Sequence, residues 1–340
     1  MVRNADAVRT DCSTILSKVA RHTIVVTATP LVNRVKELHP LLKMTRRGWT
    51  EASQTDFSNM YDTEEGQKDL AIELRKFMVR RLTHEVWKEA PKGEIGQAWV
   101  PLSNRDAYKE AEKDFIDWLR RQGADEDRLQ AAERGRALVK LNYLRQLASH
   151  GKVEEAIKII DKTLSAGEQV VVFSGFNKPL YRLAEHFASK TGTNFRGNGW
   201  RGSALIVGET EDKARLRIVD NFQDGKIGLL CIGQRAGGLG IDLPVACYAY
   251  FLDLPWTPAD FIQCTGRLLR LGQTRNCQFI KFLAKNTIDQ RMEEIIQEKA
   301  GIFSRCVNDA DFVNRVTAMD AKNMHTTIVS ALISSYIHAA

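Results

Sequence analysis

From residue 151 onward the chain alternates two hydrophobic periods. Val153, Ala156, Ile157, Ile160 and Leu164 recur at helical spacing across 152–165. Gln169-Val-Val-Val-Phe173 then has the length and β-branched content of a buried strand. The same alternation continues to the end of the region. It predicts a helix over 178–190, a strand at Ala204–Val207 and a helix over 211–223 closed by Asp224-Gly225. Strands follow at Ile227–Cys231 and Tyr248–Leu252, then a helix over 257–270, a strand at Gln278–Phe282 and a helix opening at Thr287. Thr287 with Gln290 fits a capping box. Strands alternating with helices at this spacing predict a parallel sheet covered by helices on both faces. The α/β unit is complete within 151–300.

The pattern before 151 is less regular. A helix is expected near 5–20 and a buried-type strand at His22–Thr27, ending in Ala28-Thr29-Pro30, where proline enforces extended or turn geometry. A helix follows over 34–43. One strand–turn–helix unit has no parallel partner of its own, so the chain reads as starting inside a domain. Residues 44–95 are mixed, with helical signal near 67–80, and Gln97–Pro101 has strand character. Tyr108, Ala111, Phe115 and Trp118 form a helical stripe. After a polar break at 122–127, Leu138, Leu141, Leu144 and Leu147 form another. Both stripes suit packing better than ligand binding. The expected division is therefore 1–95, an incomplete first domain with a helical insertion; 96–150, a helical linker; 151–300, the regular α/β domain; and 301–340, a weakly patterned tail.

Composition narrows the class. The chain has 340 residues, 44% hydrophobic and 27% charged, with a net charge of +7, which describes a globular protein compatible with a nucleic-acid partner. The six cysteines form no CxxC pair and no Cys/His cluster of zinc spacing, so no metal centre is expected and the compartment reads as intracellular and reducing. The opening Val-Arg-Asn-Ala-Asp is not a signal peptide, and no run of 18 apolar residues could span a membrane.

The candidate chemistry lies in the loops after the strands. Gly233-Gln-Arg235-Ala-Gly237-Gly238-Leu-Gly240-Ile-Asp242 allows close backbone approach to a ligand. A tight structural turn is the other reading of the same glycines. Leu243 occupies the third glycine slot of a GxGxxG fingerprint, which argues against a dinucleotide enzyme. Asp253-Leu-Pro-Trp256-Thr-Pro258 leads into Gln263-Cys-Thr-Gly-Arg267-Leu-Leu-Arg270-Leu-Gly272-Gln273. If the helix runs to 270, Arg267 and Arg270 share one face as two positive forks matched to phosphate. Two solvated surface arginines are the plainer reading. Arg235 suits a backbone phosphate and equally a solvated surface arginine.

The ordered set of these segments resembles the superfamily-two helicases of the Swi/Snf type, the double-stranded DNA translocases. Thr27-Ala-Thr-Pro30-Leu-Val-Asn33 resembles that family's third motif. Phe77-Met-Val-Arg80-Arg81-Leu82 resembles the segment before the lobe junction, and Val171-Val-Phe-Ser-Gly175 the fourth motif. Arg235 to Asp242 resembles the fifth, and Asp253, Trp256, Pro258, Gln263, Arg267, Arg270, Gly272 and Gln273 the run through the sixth. Gly233-Gln234 stand where the family usually has Ser-Thr, and Gly266 and Leu269 where Asp and His are common.

The resemblance implies a RecA-like C-terminal lobe at 151–300, preceded by the rear part of a first lobe. It implies ATP and Mg²⁺ as cofactors and double-stranded DNA as partner. Arg267 and Arg270 would be arginine fingers supported by Gln263. Gly238, Gly240 and Asp242 would line the ATP cleft, and Thr27, Thr29 and Arg235 would serve DNA contact and coupling. In a eukaryote the implied compartment is the nucleus. No GxxxxGK[ST] occurs in the chain, nor an apolar strand ending in Asp-Glu. The phosphates and Mg²⁺ therefore lack their usual holders. The 340 residues alone are expected to hydrolyse no ATP at a meaningful rate and to need an N-terminal lobe from another chain. The competing expectation is an ATPase-dead DNA- or protein-binding module.

Overall fold

The computed structural model describes residues 8–26, 38–45, 53–61, 63–76, 78–79, 87, 89–121, 131–234, 240–256, 258–295, 332–333 and 335–336. The chain divides into two compact units, Met1–Arg81 with Gln297–Ile328, and Leu82–Ile296 with Val329–Ala340.

In the first unit lie α1 (Val8–Val19), α2 (Leu38–Met44), α3 (Gln54–Tyr61) and α4 (Glu64–Arg75). Thr63 caps α4 by accepting the Gly66 N–H at 3.1 Å. Gly66 is required there, because a Cβ would lie 2.1 Å from the Met60 carbonyl oxygen. Leu38, Leu42, Phe57, Leu70 and Leu74 form the small core. The buried-type strand expected at His22–Thr27 is not formed over 22–26, and Ile24 and Val26 are 85% and 91% exposed. A strand exists through its ladder to a neighbour, and none of the described residues of this unit forms one.

The second unit is built on a six-stranded, wholly parallel sheet in the order β1-β8-β7-β2-β6-β5. Its strands are β1 (Gly93–Trp99), β2 (Val170–Ser174), β5 (Ser203–Ile206), β6 (Leu229–Gly233), β7 (Tyr248–Phe251) and β8 (Cys277–Leu283). The short strands β3 (Thr191–Thr193) and β4 (Gly199–Arg201) pair antiparallel beside it. The helices are α5 (Arg105–Arg121), α6 (Ala131–Gly151), α7 (Val153–Ser165), α8 (Asn177–Phe187), α9 (Asp212–Gln223) and α10 (Pro258–Thr265). The five strands expected after 151 are all present. The sixth, β1, lies ahead of α5 and pairs along its whole length with β8, Gly93 beside Cys277 through to Trp99 beside Leu283.

Alternation along the central strands explains why both faces are covered. Val171, Phe173, Leu230, Ile232, Ala249 and Phe251 point to one face, where Phe222 of α9 and Cys264 of α10 join them. Val170, Val172, Leu229, Cys231 and Tyr250 point to the other, against Val153, Ile160 and Leu164 of α7 and Leu180, Leu183 and Phe187 of α8. A parallel sheet buried on both sides needs such continuously apolar strands. The far chain end closes the α5 side. Tyr336 is buried, its ring lies 5.2 Å from that of Phe115, and Arg291 donates to the Ser335 carbonyl at 2.9 Å.

One buried ion pair ties α7 to the end of β8. Lys152 Nζ reaches Asp289 Oδ2 at 2.6 Å and the Phe282 carbonyl at 3.0 Å, with the lysine side chain wholly buried. Removing one partner strands the other charge out of water. Lys152→Ala is expected to cost about 3–5 kcal/mol of stability in urea titration, and a loss near zero would contradict the pair's assignment. The cysteines give a second check. Burial pushes the Cys247 and Cys264 thiols up to about 12 and Cys277 to about 11, while Cys12 is exposed. At pH 8 a thiol reagent should label Cys12 in the folded chain and reach Cys247, Cys264 and Cys277 only on unfolding, as mass mapping would show.

Candidate functional site

The sheet order places a topological switch between β2 and β7. After β2 the chain proceeds toward β5, and after β7 it proceeds through α10 to β8 on the opposite side. In open parallel sheets ligands bind where connections part in this way, outside the carboxyl ends of the strands.

Asp253, two residues beyond β7, occupies that point and is 1% exposed. Its carboxylate accepts from Ser174 Oγ at 2.5 Å, Ser149 Oγ at 3.2 Å and the Gly175 N–H at 3.0 Å. Gln234, just after β6, donates its amide to the Asp253 carbonyl at 2.9 Å and to Oδ1 at 3.3 Å. Arg145 Nη2 stands 3.6 Å from Oδ1. The loops after β2, β6 and β7 thus converge on one carboxylate. The Gln234 amide is engaged in this internal network.

The segment from Asp253 to Gln273 runs differently from the expectation in one respect. The helix predicted over 257–270 stops at Thr265. Gly266 is a poor helix former, and the chain leaves helical geometry through short turns, with the Arg267 N–H bonded to Cys264 and that of Leu268 to Thr265. The Arg267 carbonyl is taken by the Leu243 N–H at 2.8 Å. Arg267 and Arg270 therefore do not share a helical face. Arg267 turns inward and is 7% exposed, whereas the Arg270 side chain is 44% exposed.

Both arginines nevertheless meet adjacent residues of one segment, Ile241 and Asp242. Arg267 Nη1 makes a long 3.5 Å bond to the Ile241 carbonyl, and Arg270 forms an ion pair with Asp242. Arg267 Nε is buried with no hydrogen-bond partner among the described residues. Burial draws the Arg267 pKa below its usual range, with the Cys264 side chain opposing the shift, yet a guanidinium remains charged near neutral pH. A cation withdrawn from water without a carboxylate among the described residues is costly unless an anion completes it. The Arg270–Asp242 pair is half exposed, so opening it costs about 1 kcal/mol or less.

Among the other expected site residues, Gln263 is half-buried on α10. Gly240 has φ +69° with open space where a side chain would stand, so the constraint there is conformational. The Asp242 carbonyl accepts from Gln223 at 2.9 Å. Thr27, Thr29, Arg235 and Gly238 lie outside the described residues. Sequence reasoning missed Arg145 and Ser149. Their signal was available, as two polar residues four apart inside the buried Leu141, Leu144 and Ala148 stripe of α6.

Two family models match the chain. The SNF2-related domain matches residues 1–153, and the helicase conserved C-terminal domain matches 151–272. The chain belongs to the Swi/Snf-type superfamily-two helicases. An uncharacterised ATP-dependent helicase of Bacillus subtilis is 24% identical over 336 residues, covering 86% of this chain and 56% of that protein. The CHD3-type chromatin-remodeling factor CHR7 of Arabidopsis thaliana is 26% identical, covering 82% of this chain and 24% of that protein. This Swi/Snf chain spans between a quarter and somewhat over half of the length of these relatives. The Sulfolobus solfataricus SWI2/SNF2 ATPase core is similar in structure, with 18% identity, 88% of this chain and 63% of that chain covered, and a TM-score of 0.49. The six-stranded parallel sheet is the RecA-like lobe of this Swi/Snf chain.

The two aspartates of the site have opposite weights. Asp253→Ala leaves the buried donors of Ser149, Ser174 and Gly175 without their acceptor and removes the counter-charge beside Arg145, and is expected to lower stability by about 3–5 kcal/mol. Asp242→Ala opens a half-exposed pair and is expected to cost about 1 kcal/mol or less. Thermal and urea unfolding of both variants checks the contrast, and equal losses would contradict it.

Proposed function

We propose that this chain is the C-terminal portion of an ATP-dependent double-stranded DNA translocase, and that it supplies the arginine half of the ATP site. The observation that supports this most is Arg267, a buried guanidinium whose Nε has no partner among the described residues. Such a group is suited to a phosphoryl oxygen that gains charge in the transition state. Arg270 is the second, accessible cation, released from Asp242 when a phosphate arrives. Gln263 stands on the helix that leads to the pair, and Gly240 and Asp242 form the strip they face. Thr27, Thr29, Arg235 and Gly238 take their places in the site and its DNA coupling from the family pattern.

ATP fits this chain only on its γ-phosphate side, and among the described residues no cluster of carboxylate, His or Cys ligands fits Mg²⁺. The two arginines suit the terminal phosphate, but the 340 residues contain no GxxxxGK[ST] loop. Catalysis requires both halves at one place, so these residues act with a phosphate-loop-bearing lobe that they do not contain. Double-stranded DNA is the partner, held by its backbone and therefore with little sequence preference. The net charge of +7 accords with a polyanionic track.

Phosphate release from ATP, measured with and without double-stranded DNA, tests this reading. The 340-residue chain alone is expected to show no turnover above blank. Adding a lobe that carries the phosphate loop should restore DNA-stimulated turnover. Arg267→Ala should then reduce kcat by about 10³-fold or more, the usual scale for an arginine finger. DNA-stimulated turnover by the chain alone, lost in Arg267→Ala, would refute the half-site. Full activity of Arg267→Ala in the restored complex would refute the arginine's role.

A further inference from the structure

Arg145 has no role in the reading above, yet it is among the most enclosed cations of the second unit. It lies on α6 with a side chain 4% exposed. Its guanidinium carbon sits 4.1 Å from the centre of the Trp256 ring and 5.7 Å from that of Phe176. Nη2 donates to the Leu254 carbonyl at 2.5 Å. One helical turn further on, Ser149 donates to Asp253. The two side chains lie on one face of α6 and grip the loop after β7 at successive points, Asp253, Leu254 and Trp256.

Neutralising Asp253 does not by itself account for Arg145. Two serine hydroxyls, a backbone N–H and a glutamine amide already satisfy that carboxylate, and Arg145 stands beyond hydrogen-bond distance at 3.6 Å. The firm contacts of Arg145 are with Leu254 and Trp256, further along the chain toward α10. That helix begins at Pro258 and hands on directly to Gly266 and Arg267. Because the Arg267 guanidinium makes one long bond among the described residues, its place there is inherited from the backbone that delivers it.

We infer that Arg145 is a positioning residue: stacked on Trp256 and bonded to Leu254, it fixes the loop that sets where α10 presents Arg267. The inference rests on the proposed role of Arg267. A planar fork is needed for both contacts at once. A lysine keeps the charge but neither stacks in that way nor presents the same donors.

Hydrogen exchange on the 340-residue chain tests the positioning without reference to ATP. Arg145→Lys and Trp256→Leu should each speed amide exchange across 253–267 by about tenfold, as expected when a local contact is lost. Exchange in β2 and β6 and the thermal midpoint should stay near wild type. Combining the two substitutions should add little, because they remove one interaction. Unchanged exchange at 253–267 in both variants would overturn the inference, and so would an equal rise over the whole sheet. In the complex restored with a phosphate-loop-bearing lobe, Arg145→Lys should lower kcat while leaving KM for ATP unchanged, and an unchanged kcat would overturn it. If Arg267→Ala is fully active there, the arginine-finger reading fails, and the exchange result still decides whether Arg145 orders the loop.

Discussion

A carboxylate buried at the carboxyl edge of a parallel sheet is costly unless donors surround it. Asp253 is surrounded, and the donors come from α6, from the ends of β2 and β6, and from the backbone beyond β2. These groups belong to segments far apart in the chain, so satisfying one aspartate fixes several loops relative to one another. The network stands where the connections of β2 and β7 part. Everything downstream of Asp253, from Trp256 to Gln273, starts from a fixed point. The far end is fixed as well. Gln273 is buried, donates to the Ala246 carbonyl at 2.8 Å and accepts the N–H groups of Thr274 and Arg275.

Between these anchors the two arginines divide the electrostatic work. Arg267 is desolvated and underbonded, which strengthens its attraction for an anion because little water screens it. Arg270 is solvated and loosely paired. In the proposed function the first is the group for selective stabilisation of growing charge and the second the group for capture. A continuous helix through 270 would have shown both to the same side and to the same solvent. The break at Gly266 is what makes them unequal, and Gly266 is one of the positions where this chain departs from the usual family residue.

The sheet was legible in the sequence because burial on both faces demands runs such as Val-Val-Val-Phe, and each run after 151 became a strand. β1 was faint for a physical reason. It is largely exposed, carries Gly93 and Gly96 and has few apolar side chains, so its identity depends on β8 rather than on its own composition. His22–Val26 failed in the opposite way. Its β-branched residues suit a strand, but propensity without a neighbouring ladder does not make one. At the site, the arginines and the glycine loop were visible as motifs. Their unequal burial was not, since it arises from a helix end and from the Leu243 N–H taking the Arg267 carbonyl. Arg145 was hidden inside a helical stripe whose apolar members accounted for the pattern without it.

The pairing of β1 with β8 also bears on how the chain is made. The partners are separated by 184 residues, as Glu94 and Gln278 illustrate. Contacts so distant in sequence form late, because the loop they close must first be organised by shorter-range structure. During synthesis β1 leaves the ribosome long before β8 exists, while β2, β5, β6 and β7 can already assemble in chain order. β1, the earliest of the six strands in the chain, can therefore take its place beside β8 only after the other five have been made.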